Sequence, residues 1–212
     1  CPRGCVSMAP DAEGFLRPEV DTGRCDGCGL CGLACPAVAA REGRLAPDKP
    51  RSVRWAYTRD GGLLDRSSSG GVFGLLARDC LSRGGAVYGA AFSGDLRSVR
   101  HARAGSTGEL GPLLRSKYVQ SEVGREVYAG VASDLREGRP VLFCGTACQV
   151  AGLRLHLSAL RVPAEGLLCA DVICHGAPSP ALWRAWAAHL EAGEGSALAG
   201  VNFRAKDPSW EG

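Results

Sequence analysis

The sequence has a single methionine, Met8, and none at its start, no recognisable signal peptide, and a net charge of only +3 over 212 residues. No apolar run approaches the roughly 20 residues needed to cross a bilayer. Each absence removes a class of protein. Without such a run, no transmembrane segment is expected. No aromatic residues are interleaved with the densest basic stretch, so no nucleic-acid interface is expected either. The densest basic stretch, Arg97, Arg100, His101 and Arg103, reads as a solvated strand face. Eleven cysteines would suggest a disulfide scaffold in a short secreted chain, but the count is odd and six of them fall in the first 35 residues at metal spacing. That usage fits a reducing cytosol, so a cytoplasmic location is expected on chemistry alone, because a targeting segment could precede residue 1. At 22.1 kDa the chain is long enough to bury a real core, which argues against disorder.

What is present is concentrated in sulfur. Cys25, Cys28, Cys31 and Cys35, with Pro36 directly after, spell C-x2-C-x2-C-x3-C-P, the spacing by which bacterial ferredoxins hold 4Fe-4S clusters. Two-residue gaps let three successive thiolates converge on one cube, and soft sulfur favours iron–sulfur or zinc over cations that prefer oxygen. Asp26, Gly27, Gly29 and Gly32 suit a tightly wrapped loop. Zinc ribbons separate two cysteine pairs by about 15–20 residues, which this run does not do.

Cys1-Pro2 looks like the tail of an earlier copy of the same motif. In two-cluster ferredoxins the fourth cysteine of each run ligates the other cluster, so Cys1 is expected to join Cys25, Cys28 and Cys31 around one cube. Cys35 would serve a second cluster whose other ligands are not in the sequence. The chain is thus expected to start inside a dicluster domain and to complete one of two cubes.

Three segments are expected. Residues 1–46 form an N-terminally incomplete ferredoxin-type domain with little periodicity, residues 47–58 a linker around Pro47 and Pro50, and residues 59–212 a C-terminally incomplete α/β domain. In the last segment the pattern predicts a helix from Val72 to about Arg83, a strand from Ala86 to Phe92 and a weaker one from Val99 to Ala104. The stretch 116–121 is another strand candidate. Val127, Val131 and Leu135 predict a helix closed by Gly138. Val141 to Cys144, Ala147 to Leu157 and Leu167 to Ile173 read as strand, helix and strand, which implies a parallel crossover. A helix from Ser179 and Pro180 to about Ala192 and a strand near Val201 to Arg204 complete the series. The fold class is therefore a partial α+β ferredoxin-like dicluster module followed by an α/β domain with a mixed, partly parallel sheet.

Ligands of open α/β sheets bind beyond the carboxyl ends of strands, where Cys144-Gly145-Thr146-Ala147-Cys148-Gln149 and Cys174-His175-Gly176 emerge. If the two strands are neighbours, Cys148 and Cys174 approach one crevice. Gly145 and Gly176 permit close backbone approach. Cys80, Cys144 and Cys169 read as small apolar fillers. Cys5 lies close to the cluster motif without occupying a position in it.

The order of the cysteine run, SSSGGVFGLLA, GGAVYGAAF, LLRSKYVQS, VLFCGTACQVAGL, DVICHGAPSP and VNFRAKDPSW resembles the coenzyme F-420 hydrogenase/dehydrogenase beta-subunit family over essentially the whole chain. That resemblance implies a dicluster ferredoxin module fused to a domain binding FAD and iron–sulfur, with electrons passing to a soluble redox partner such as ferredoxin or a deazaflavin-like coenzyme, or within a larger oxidoreductase complex. It implies metal-ligand or redox roles for Cys148 and Cys174. It also implies flavin contacts from Ser68, Ser69, Gly70, Gly71, Lys117, Gly145, Thr146 and Gly176, with simple helix capping as the plain alternative for the serines. Lys117 is implied as a positive charge beside flavin or an anionic substrate, and His175 as a proton relay. The chain departs from the family pattern at Ala147, where proline is usual, and at Cys144, where a small hydroxyl residue is common. It also stops just after the FR-x-K segment, so a complete FAD site is not expected within it. The function the resemblance implies is a flavin-dependent iron–sulfur oxidoreductase of unassigned substrate, in which clusters pass single electrons to FAD and FAD exchanges a hydride with a soluble acceptor; two other functions stay open, a non-catalytic electron-transfer subunit and a metal-stabilised interaction module.

Overall fold

The computed structural model describes residues 1–45 and 52–206. The expected linker residues Pro47 to Pro50 and the end of the VNFRAKDPSW segment lie outside the described residues.

The first segment is more regular than its sequence suggests. An antiparallel hairpin of β1 (Val6–Pro10) and β2 (Leu16–Val20) pairs Val6 with Val20 and Pro10 with Leu16. Its turn is closed by the Asp11 carboxylate, which accepts from the amides of Glu13 (3.1 Å) and Phe15 (2.9 Å), an aspartate-centred turn. Two short helices follow, α1 (Leu30–Ala34) and α2 (Pro36–Arg41), with Pro36 in the first turn of the second, where its missing N–H costs nothing. The hairpin escaped the pattern because neither face is buried, so no alternation marks it.

The second segment is an α/β domain. After α3 (Gly61–Asp65) and α4 (Val72–Ser82) come β3 (Ala86–Phe92) and β4 (Val99–Ala104), two 3-10 turns at Thr107–Glu109 and Gly111–Leu113, and the two-residue β5 (Ser121–Glu122). Then follow α5 (Gly124–Arg136), β6 (Val141–Thr146), α6 (Ala147–Ala159), β7 (Leu167–Val172) and α7 (Pro180–Glu194). The sheet runs β5-β4-β3-β6-β7, parallel except between β3 and β4. The mixed, partly parallel sheet is thus as expected, and β6-α6-β7 is the parallel crossover. Two strand expectations are corrected. Only Ser121 and Glu122 pair near 116–121, and Val201 to Arg204 forms no strand. That segment instead lays Phe203 against Trp183 and Tyr118, with ring centroids 5.4 and 5.5 Å apart.

Alternation along the strands divides the core. Tyr88 and Phe143 face α5 and α6, meeting Val131, Leu153 and Leu157, while Val87, Ala91 and Leu142 face α4 and the 3-10 turns. Ala90, Phe92 and Val99 meet Trp183 and Ala187 of α7. Within the first layer lies a buried carboxylate, Asp134. It accepts from Tyr88 Oη at 2.6 Å, from Arg103 Nε and Nη2 at 2.9 and 3.0 Å, and from Arg139 Nη1 at 3.3 Å. Burial alone would raise the Asp134 carboxyl, but the bonds from Arg103 and Tyr88 and the charges of Arg103 and Arg139 pull it below its ordinary value. The basic stretch on β4 is therefore only partly a solvated face. Arg103 anchors to α5, Arg97 pairs with Glu191 of α7, and His101 is buried.

The two segments touch. Helices α1 and α2 pack on α6, and the carbonyl of Glu13 in the hairpin turn accepts from Ala181 N at 3.1 Å.

Candidate functional site

The thiols of the amino-terminal motif lie outside any core, and none is in a disulfide. Cys1, Cys25, Cys28 and Cys31 are exposed, and Cys35 is half-buried between α1 and α2. Gly27 and Gly29 take left-handed φ values of +70° and +74°, the conformation by which a short loop reverses between closely spaced ligands. Asp26 stiffens that loop by accepting from Cys28 N at 3.3 Å and ties it to residue 3 through the Arg3 guanidinium at 2.8 Å. Arg24 Nη2 donates to the Arg3 carbonyl at 3.2 Å. The stretch beginning at Cys1 is thus held against the loop carrying Cys25 and Cys28. Cys5 N donates to Cys1 Sγ at 3.3 Å, the kind of amide-to-sulfur bond that tunes a thiolate-held cluster.

Among the described residues, no three His, Cys, Asp or Glu side chains gather where they could hold a single metal ion. A cubane asks for a different arrangement, one thiolate at each of four irons. The donor set fits it: soft, exposed thiols on a glycine-hinged loop with backbone donors beside them.

Residues four places beyond Cys1 and Cys35 are Cys5 and Ala39, and both are buried. This correspondence between the two Cys-Pro segments gives Cys5 the place of a small packing residue. It could have been read from the sequence by aligning the segments on their prolines.

The second group of expected residues lies at the carboxyl end of the sheet. Thr146 on β6 pairs in register with Val172 on β7, so the loops bearing Cys148 and Cys174 leave the same end of adjacent parallel strands. Both thiols are exposed. Thr146 forms a capping box with Gln149, its amide donating to Gln149 Oε1 at 2.9 Å, and its hydroxyl lies 3.1 Å from Cys148 Sγ. A Cβ on Gly145 would stand 2.9 Å from that Gln149 oxygen, so this glycine serves the cap. Gly176 has φ +116° and donates its amide to Cys174 Sγ at 3.4 Å, with His175 exposed between them.

The third group is stitched together by the protein itself. Ser68 Oγ accepts from Ser116 N at 2.7 Å, and the Ser69 carbonyl accepts from Lys206 Nζ at 3.4 Å. Neither serine caps α4; its N-cap is Gly71, left-handed at φ +77°. A Cβ on Gly70 would meet the Ala56 carbonyl oxygen at 2.6 Å, so this glycine lets the chain at 56–58 pass close by. Lys117 Nζ donates to the carbonyls of Pro112 (2.7 Å), Leu114 (2.6 Å) and Arg115 (3.1 Å). Burial pulls its ammonium down to about 8.

A fourth group was missed from sequence. His101 Nε2 lies 3.0 Å from the Cys144 carbonyl and Nδ1 lies 3.1 Å from Ser121 Oγ, with the ring stacked on Phe143 at 5.2 Å. Gln149 Nε2 donates to Ser121 Oγ at 2.9 Å, joining this network to the α6 cap. Burial lowers the His101 pKa below the ordinary imidazole value. The signal was available, since Val99, His101 and Arg103 share one strand face. Burial also pushes the Cys144 thiol up to about 11, so it stays protonated near neutrality. Cys80 is a core filler as expected, its thiol directed at the Ala86 and Pro140 carbonyls at 3.5 and 3.6 Å.

Residues 18–41 match the family model of the 4Fe-4S binding domain, which supports cluster binding by this segment. No curated protein matches the chain. Among solved structures, a chain of the F420-reducing [NiFe] hydrogenase complex from Methanosarcina barkeri, determined as a xenon derivative, aligns with a TM-score of 0.47 at 15% identity. The alignment covers 61% of this chain and spans 47% of that one. It is a likeness in outline only.

Proposed function

We propose that this chain is an iron–sulfur electron-transfer protein of an oxidoreductase system, with residues 1–46 as the electron-carrying module and residues 59–212 as the domain that passes charge to a redox partner. The observation that carries this reading is the C-x2-C-x2-C-x3-C-P run inside the 4Fe-4S domain match. Cys25, Cys28, Cys31 and Cys1 are proposed to hold one cluster, with Cys35 serving a second. A bound cluster supplies one-electron redox chemistry.

The contact between the segments supports the relay. Pro36, next to Cys35, lies 3.8 Å from where a Cβ on Gly152 of α6 would be. Cys148 is one helical turn before Gly152 on the same face of α6. The Cys35 corner therefore abuts the helix that carries Cys148 to the carboxyl end of the sheet. We place Cys148 and Cys174 there as redox or metal-binding thiols, and His175 as a proton carrier at the exposed loop.

The family resemblance extends the proposal to FAD, a soluble carrier or a larger complex, and a cytoplasmic setting. The groups implied for the flavin fit it poorly, because Ser68, Thr146 and Lys117 are engaged within the chain and Gly70 and Gly71 are closed off by residues 56–58.

Anaerobic reconstitution with iron and sulfide tests the reading. About four irons per chain and a cluster spectrum lost in Cys28→Ser are expected. Zinc retained in preference to iron, or a spectrum indifferent to Cys28, would overturn it.

A further inference from the structure

A cavity of about 410 Å³ opens between the loop 111–117 and the carboxyl end of β3. It is within the volume range of small-molecule sites and lies where open α/β sheets take their ligands. Phe92, Leu96 and Val201 supply apolar wall, and Ser93 and Ser116 line it as well. Arg66, Arg115 and Lys117 also face it, and among the described residues no aspartate or glutamate lines it.

Arg78, Arg97, Arg100, Arg103 and Arg139 each pair with a carboxylate. Arg66 and Arg115 instead rest on backbone carbonyls, Arg66 Nε on Gly62 at 3.1 Å and Arg115 Nη2 on Asp65 at 3.4 Å. A carbonyl leaves each guanidinium its full charge and spare N–H donors. Three cations around one concavity raise the local concentration of anions.

Arg115 is also held in an unusual backbone conformation, φ +68°, which a residue with a long side chain rarely adopts. Two pins keep it there. Lys117 Nζ grips the carbonyls of Leu114 and of Arg115 itself, and Ser68 Oγ grips the amide of Ser116. Backbone strain sustained by its surroundings concentrates at binding sites.

We propose that this cavity binds the phosphate-bearing end of a small anionic ligand, with Arg66 and Arg115 as the contacting groups and Lys117 as the strut that sets Arg115. The proposal rests on the cavity and its charges and does not require the clusters, so it can fail while the electron-transfer reading stands, and the reverse. A flavin dinucleotide and a phosphorylated soluble carrier share the chemistry that these arginines recognise: a doubly charged group that accepts paired N–H bonds.

Pyrophosphate titrated calorimetrically into the full chain at low ionic strength is the test. Binding to the unaltered protein is expected, weakened about tenfold or more in Arg66→Gln and in Arg115→Gln. Arg115→Gly separates binding from folding, because glycine relieves the left-handed strain: its melting temperature is expected to rise while pyrophosphate affinity falls. Equal affinity in the unaltered protein and both glutamine variants, or no binding to the unaltered protein at millimolar pyrophosphate, overturns the proposal. Repeating the titration with FAD present assigns the source. Loss of pyrophosphate binding places the flavin's phosphates in the cavity, whereas retained binding places a second phosphorylated ligand there, and either result upholds the site.

Discussion

Residues 1–45 and the α/β domain face the same folding requirement with very different means. Among the described residues of the first segment only Cys5 and Ala39 are fully buried, whereas the second buries Tyr88, Phe143, Leu142, Leu153 and Leu157 almost completely. Apolar burial can order the α/β domain unaided. It cannot order the first segment, whose chemistry lies in exposed thiols and whose ligand bonds must supply the missing free energy. The contrast teaches that the order of the cysteine-rich segment is conditional on its metal while that of the α/β domain is not. Its largest consequence is that stripping iron with a chelator, or making Cys28→Ser, removes amide-exchange protection from residues 1–45 and leaves β3, β6 and α6 protected. Protection in both segments after iron removal breaks the comparison. Cys80→Ser, which alters only the core, is expected to leave the cluster spectrum intact.

The converse perturbation should act on the platform alone. Asp134, a buried carboxylate, holds Tyr88, Arg103 and Arg139 together across β3, β4 and α5. Removing it leaves the buried Tyr88 hydroxyl unpaired and opens a gap, while the partly exposed Arg103 and Arg139 regain water, so Asp134→Ala is expected to destabilise the α/β domain by about 1–3 kcal/mol. Denaturant unfolding followed through tryptophan fluorescence measures this loss, and a change under about 1 kcal/mol would make the network a surface pair in disguise. Because the Asp134 carboxyl is held below its ordinary 3.8, its contribution is complete above that pH and is lost as pH falls through the lower folded value.

Local signals made most of this platform legible. Glycine stops and apolar periodicity placed α4, α5, α6 and β3, and the strand-helix-strand order gave the parallel pairing of β6 with β7. The cysteine spacing marked the cluster segment before any geometry was known. What stayed hidden depends on contacts distant in sequence. The β1–β2 hairpin buries neither face, so it carries no pattern. His101 and Arg103 looked like solvent-facing bases because their partners, the Cys144 carbonyl and Asp134, lie 43 and 31 residues away. The serine-glycine run looked like a ligand loop, yet its glycines answer to the backbone at 56–58.

Close packing, which the metal-dependent segment largely lacks, is tight beside the serine-glycine run. The Gly70 Cα hydrogens face the Ala56 carbonyl, and a methyl there would stand 2.6 Å from its oxygen. Backbone on both sides cannot easily yield, so Gly70→Ala is expected to cost about 1–3 kcal/mol, read as a lowered denaturant midpoint. If the variant is as stable as the parent, the loop is free to move and its tight passage against 56–58 is not structural.

The smallest expected effect is a titration. His101 sits neutral between the Cys144 carbonyl and Ser121, its pKa lowered first by burial and then by the nearby Lys117 charge. An unfolded histidine takes up its proton near 6.5, so below that pH the unfolded chain binds more protons than the folded one. Stability of the α/β domain is therefore full above pH 6.5 and declines as pH falls through the interval down to the lower folded value. His156, also lowered by burial, adds a slope of the same sign, so the informative quantity is a difference between variants. His101→Gln keeps one donor for the Cys144 carbonyl and one acceptor for Ser121 but cannot titrate. Its unfolding free energy should fall less steeply than the parent's as pH drops below 6.5. Parallel slopes in the two proteins would mean that the folded imidazole takes up its proton as readily as the unfolded one, so that burial does not hold it neutral between the Cys144 carbonyl and Ser121.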